Sequence, residues 1–146
     1  MKKRLILSLL LAVSLLFACG CEINLVKLPE YYELNDGDTV ISFTNVVGER
    51  DLNTKKIEMT NAVQRISYSF KKVEDAYADA EKYIDHLMEE EGFYYAGMLN
   101  MDETEDEITI YKTSPNDSEF EIRVIVKYNT NTKIVKVTIE REKVIE

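Results

Sequence analysis

The sequence predicts an α+β domain: one amphipathic helix packed on a four- to five-stranded, mostly antiparallel sheet, in the order β-α-β-β-β-β. Three observations predict it. A single apolar stripe at helical spacing runs through residues 73–91. Short runs of alternating apolar and polar residues recur on both sides of it. The runs that follow it are joined by a few turn-forming residues each, which allows only antiparallel neighbours. The one amphipathic helix then has to cover one face of the resulting sheet.

Taken in order, residues 22–38 read as a tether, with Pro29 and the turn chemistry of Asp36, Gly37 and Asp38. Residues 39–47, TVISFTNVV, are rich in β-branched side chains and read as a strand ended by Gly48. Residues 49–61 are polar, with room for a short strand around Ile57 and Met59. From Val63, Ile66, Tyr68 and Phe70 alternate with Arg65, Ser67 and Ser69, the pattern of a half-buried strand. In the helix, Val73, Ala76, Tyr77, Ala80, Tyr83, Ile84, Leu87 and Met88 form the stripe. Glu74, Asp75 and Asp79 sit early, where carboxylates suit the helix dipole. Gly92 falls where a left-handed residue closes a helix, with Phe93 placed to pack back on Met88. Four further strands are expected over residues 93–101, 108–112, 120–127 and 135–140, with Ile108, Ile110, Phe120, Ile122, Val124, Val126, Val135, Val137 and Ile139 inward.

The chain has 146 residues, 45% hydrophobic and 31% charged, which is the composition of a globular domain rather than a disordered segment. Its first residues, Met1-Lys2-Lys3-Arg4, are basic, and residues 5–17, LILSLLLAVSLLF, are apolar over the length of a signal-peptide core and too short for a membrane span. Leu16-Phe17-Ala18-Cys19 resembles the bacterial lipobox. That resemblance implies a diacylglyceryl group on the Cys19 thiol, cleavage before Cys19, and attachment to the extracytoplasmic face of the cell membrane by chains that together hold stably. The expected divisions are a signal peptide over 1–18, a lipidated N-terminus and tether over 19–38, a strand and irregular segment over 39–61, and the α+β domain over 62–146. Loss of Lys2, Lys3 and Arg4 from the 18 basic residues leaves 15 against 27 acidic ones, a net charge of −12. Such a chain is repelled by phosphate backbones, which excludes nucleic acid as a partner class. Cys19 and Cys21 are the only cysteines, so the domain has none for a disulfide, a zinc site or a thiol nucleophile.

The run from Ile66 through Ser67, Tyr68, Ser69 and Phe70 to Asp75, followed by Tyr83-Ile-Asp-His-Leu-Met-Glu-Glu-Glu-Gly-Phe93, resembles small lipoproteins of Gram-positive bacteria. The likeness spans about residues 66–143 and implies the fold and the anchor without implying an activity.

The remaining site readings are few. His86, the only histidine, shares its helix side with Lys82, Glu89 and Glu90, which offers at most a partial metal site and otherwise a solvated face. Asp102, Glu103, Glu105 and Asp106 form the densest acidic run, the oxygen-rich chemistry that calcium prefers, although Glu107 and Thr113 break the EF-hand pattern. The same charges on a hairpin loop keep a sheet soluble. Of nine tyrosines, Tyr68, Tyr77, Tyr83 and Tyr95 belong to core faces, while Tyr31, Tyr32, Tyr94, Tyr111 and Tyr128 are expected to be partly exposed, with Tyr94, Tyr111 and Tyr128 the candidate interface residues. No nucleophile, base and orienting group fall into a catalytic pattern, no phosphate-binding glycine loop is present, and no cofactor is implied. The expectation is a non-enzymatic, lipid-anchored binding module whose partners are the membrane and another envelope protein, with a small-ligand or calcium-binding role as the alternative and an envelope hydrolase as the least favoured.

Overall fold

A computed structural model describes residues 24–60 and 62–144. The expected signal peptide over residues 1–18 and both cysteines lie outside the described residues. Strands β1 (Leu25–Val26), β2 (Tyr31–Glu33) and β3 (Thr39–Ile41) lead to a short helix α1 (Phe43–Val47). Then come β4 (Arg50–Met59), β5 (Val63–Lys71), the long helix α2 (Ala76–Glu89), β6 (Glu105–Thr113), β7 (Phe120–Asn129) and β8 (Ile134–Lys143). The main sheet has six strands in the order β1-β4-β5-β8-β7-β6, all antiparallel, and β2 pairs with β3 separately. The α+β architecture is as the sequence predicts. The sheet is larger than the four to five strands expected, and a second helix is present. Among the described residues no helix is long and apolar enough to cross a membrane.

Alternation sorts the sheet into two faces. Ile66, Tyr68, Phe70, Ile108, Ile110, Ile122, Val124, Val126, Val135, Val137 and Ile139 point inward and are buried. Helix α2 closes this face over β7 and β8 with Ala76, Ala80, Tyr83, Ile84 and Leu87, all buried. Full burial of Ile84 or Leu87 contributes roughly 1.5–3 kcal/mol each. The helix starts where Asp75 accepts the Ala78 N–H at 3.0 Å, a side-chain N-cap. In its first turn Asp79 takes a two-pronged bond from Arg50 (2.6 and 2.8 Å), which fixes the helix start to the beginning of β4. It ends at Glu89 with Glu90 as C-cap; the chain then turns at Gly92, φ 76°, and the Phe93 N–H returns to the Leu87 carbonyl at 3.1 Å, a loop one residue wider than the expected Schellman ending. The expected order of neighbours holds for β6, β7 and β8. Strand β5 pairs with β8, so the chain crosses the sheet through α2 to reach the far edge at β6.

Three expectations are corrected. The segment read as a tether belongs to the fold: Tyr32, Leu34 and Asp38 are buried, and Tyr32 stacks on Tyr68 at 5.1 Å. Residues 39–47 are a strand only to Ile41. Phe43 turns inward instead, stacked on Phe70 at 5.1 Å and edge-on to Tyr83 at 5.3 Å, and this burial outweighs the β propensity of the run. Residues 93–101 form no strand beyond one bridge between Tyr94 and Tyr111, because Gly97 at φ 119° breaks the extended backbone and Tyr95, Leu99 and Met101 pack on the core from a loop.

The segment over β5 is held at several points. Tyr83 donates its hydroxyl hydrogen to the Ile41 carbonyl (2.8 Å), Tyr32 Oη accepts the Phe43 N–H (3.1 Å), and Glu91 accepts the Ile41 N–H (3.0 Å). Glu91 is half-buried, and burial pushes its carboxyl above the ordinary range against the pull of the Ile41 bond and of Lys112 and His86. A raised folded value means that ionised Glu91 costs stability, so its contribution is most favourable at low pH and declines as pH rises through the folded value. Glu91→Gln keeps the acceptor and removes the charge. Its melting temperature at neutral pH is expected to equal or exceed that of the parent, and a clear fall would show that the charge itself is needed.

Candidate binding face

The outward side chains of the same strands are largely polar, and among the described residues no helix covers them. Thr54, Lys56 and Glu58 of β4 lie beside Ser69, Ser67 and Arg65 of β5. Those in turn lie beside Lys136, Thr138 and Glu140 of β8, with Lys127 and Ile125 of β7 and Glu107 of β6 beyond. Together they line a shallow trough of about 380 Å³ across the sheet. Its charges are largely paired. Arg65 donates to Glu140 (2.5 Å) and to Glu58 (3.0 Å), and Lys127 reaches Glu107 at 3.2 Å. Ser67 and Thr138 share a hydrogen bond at 2.9 Å in the trough floor. Lys136 has no ion-pair partner among the described residues. Such a surface offers donors, acceptors and one unpaired cation to a polar partner, and only Ile125 as an apolar contact.

Two of the three candidate tyrosines meet at one border of this face. Tyr94 and Tyr111 exchange backbone hydrogen bonds, 2.9 Å each, and their rings sit 5.9 Å apart with Tyr94 52% exposed. Tyr128 is not with them. It is buried under α2 against Tyr77, with rings 5.9 Å apart, and donates its hydroxyl hydrogen to the Asp102 carbonyl. Burial, helped by the Asp106 charge, pushes its phenol up to about 12. Tyr32 is buried as well, whereas Tyr31 is exposed.

Asp102 and Asp106 of the acidic loop spend their carboxylates on its own backbone, and Glu105 accepts from the Asn129 amide. Asp102 accepts the Thr104 and Glu105 N–H groups (2.7 and 3.3 Å), and these bonds hold its carboxyl below the ordinary range. Asp106 accepts from Asp102 (3.2 Å) and Glu107 (2.8 Å). Asp102, Glu103, Glu105 and Asp106 therefore do not converge, and among the described residues no group of three or more His, Cys, Asp or Glu side chains does. His86 lies with Lys82, Glu89, Glu90 and Val46 along an open groove on the outer side of α2.

No protein-family model, curated protein or solved structure matches the chain.

A buried charge cluster that no sequence motif marks lies at the other end of the sheet. Asp38 accepts from Ser114 (2.6 Å), Asn116 (2.9 Å) and Arg141 Nε (2.7 Å). Arg141 also reaches Asp36 at 2.9 Å and lies 3.8 Å over the Phe120 ring. Burial opposes ionisation of Asp38, but the bonds from Ser114, Arg141 and Asn116 outweigh it and hold the carboxyl below its ordinary value. Gln64 joins this end by accepting the Asn35 N–H at 2.7 Å. Every member is engaged within the protein, so the cluster reads as a clasp for residues 35–38.

Proposed function

We propose that the chain is a lipid-anchored protein of the extracytoplasmic membrane face that works by binding another envelope protein. The observation that carries this reading is the uncovered polar face of a six-stranded sheet, bordered by the Tyr94–Tyr111 pair. The basic start, the apolar run and Leu16-Phe17-Ala18-Cys19 support the anchor. Two acyl chains on Cys19 would hold the domain at the bilayer, where one would release it. A polar face with paired charges suits a reversible partner whose own groups replace water, with the tyrosines adding contact area. The reading assigns the chain no catalysis.

Crosslinking of the tagged protein in cells, followed by mass spectrometry of what it carries, tests this. One dominant envelope partner is expected. Cys19→Ala is expected to keep the unprocessed mass, lose acyl labelling and lose that partner. Lys136→Glu, in the trough, is expected to weaken the capture without moving the melting temperature. Capture of nothing above background by the anchored protein would end the proposal.

A further inference from the structure

We infer that the free edge of β4 pairs with the same edge of a second copy of this chain, antiparallel and centred on Ile57. Strand β1 covers β4 only at Arg50 and Asp51, and the Asn24 carbonyl takes the next N–H, that of Leu52. Beyond that point no described strand lies along the outer side of β4. Strand β4 presents Ile57, 53% exposed, and Met59, 63% exposed, on the side of the sheet that elsewhere is core. An edge with a row of unpaired backbone groups and uncovered apolar side chains is a template for another strand.

The sequence Lys55-Lys56-Ile57-Glu58-Met59 decides which strand fits. In antiparallel pairing about Ile57, Lys56 of each copy stands opposite Glu58 of the other, on the trough side. Ile57 meets Ile57 and Lys55 lies along Met59, on the opposite side. Directly opposed unlike charges and apolar pairs stabilise a ladder, and like charges oppose it. Centring on Lys56 opposes the two Lys56 side chains, and centring on Glu58 opposes the two Glu58 side chains. Parallel in-register pairing opposes every charge to itself. Like charges thus oppose centring on Lys56 or Glu58 and parallel pairing, while centring on Ile57 gains two Lys56–Glu58 pairs and an apolar Ile57 pair. The contact is isologous and closes at two copies. It joins two six-stranded sheets edge to edge and merges their troughs, since Thr54, Lys56 and Glu58 line the β4 end of each. A single strand pair is a small interface, so the dimer is weak in dilute solution and favoured where copies are concentrated.

The test uses the full chain, purified in detergent, in a Cys21→Ser background. Under mild oxidation Ile57→Cys is expected to give at least about tenfold more disulfide dimer than Lys55→Cys, because only a residue on the two-fold axis faces itself at bridging distance. Mixed Lys55→Cys and Met59→Cys proteins are expected to form the heterodimer that neither forms alone. Adding Lys56→Glu to Ile57→Cys is expected to suppress the dimer, and adding Glu58→Lys as well to restore it. Lys56 is largely exposed and Glu58 partly so, bonded to Arg65 on the sheet surface, and circular dichroism with the melting temperature checks that each exchange keeps the fold. Equal crosslinking of Ile57→Cys and Lys55→Cys, or no rescue by the double exchange, would overturn the inference. So would capture of a different protein by Ile57→Cys in cells.

Discussion

Asp38→Ala is expected to cost about 3–5 kcal/mol of folding stability, because it strands a buried positive charge. The Arg141 side chain is 3% exposed and would keep only Asp36, itself largely in water, and the face of Phe120. Ser114 and Asn116 would lose their shared acceptor at the same time. A domain of this size is held by roughly 5–15 kcal/mol, so the variant would sit near the limit of folding. Urea unfolding followed by circular dichroism measures it, and a loss under about 1 kcal/mol would mean that water reaches Arg141 freely. Asp38→Ala combined with Arg141→Leu should recover much of the loss, since the stranded charge goes too. The pH dependence has a definite sign. The folded carboxyl is held below its ordinary value. Its contribution is therefore present above the unfolded value of about 4 and lost as pH falls through the folded one. Asp38→Asn should flatten that acid limb, the reverse of the Glu91 case.

The clasp was partly readable. On β8, Val135, Val137 and Ile139 are inward, and continuing the alternation puts Arg141 inward as well. On β5, Gln64 has the same parity as Ile66, Tyr68 and Phe70. A cation and an amide at core-facing positions of neighbouring strands demand buried partners, but nothing local says that the partner is Asp38, 103 residues away in the chain. Alternation also held the correction for Tyr128, which shares the parity of Val124 and Val126. Helix α2, β5 and the β6–β8 meander were legible because one face of each is packed and the other is wet, which writes a period into the sequence. Strand β4 was legible only around Ile57 and Met59, because both of its faces are largely in water and no period is imposed. Residues 28–47 have no period either. Their conformation is dictated by Tyr68, Phe70 and Tyr83, which come later in the chain. The trough could not be read at all, since it is assembled from strands that are not consecutive.

Phe43→Ala is expected to cost a further class of stability, about 3–5 kcal/mol, through the cavity left between Phe70 and Tyr83. The ring is fully buried and is the anchor of α1, whose Thr44 hydroxyl accepts the Leu28 N–H at 2.8 Å. Tyr83→Phe at the same place should cost only about 0.5–1.5 kcal/mol, the worth of its bond to the Ile41 carbonyl. Hydrogen exchange should show where the loss is felt. Amides of residues 28–47 are expected to lose protection first in Phe43→Ala, while the β5, β7 and β8 ladders keep theirs, because the main sheet and α2 pack without Phe43 over most of their length. Phe43 and Asp38 fasten one segment at two points, Phe43 against β5 and α2, Asp38 against β8 and the loop before β7. If that segment docks as a unit, either substitution releases it, and the second then removes contacts already lost. The double variant should accordingly cost less than the two single losses added together, a coupling of at least about 1 kcal/mol. Strict additivity would mean that the two contact points fold down independently, and residues 28–47 would have to be regarded as two separate attachments rather than one strap.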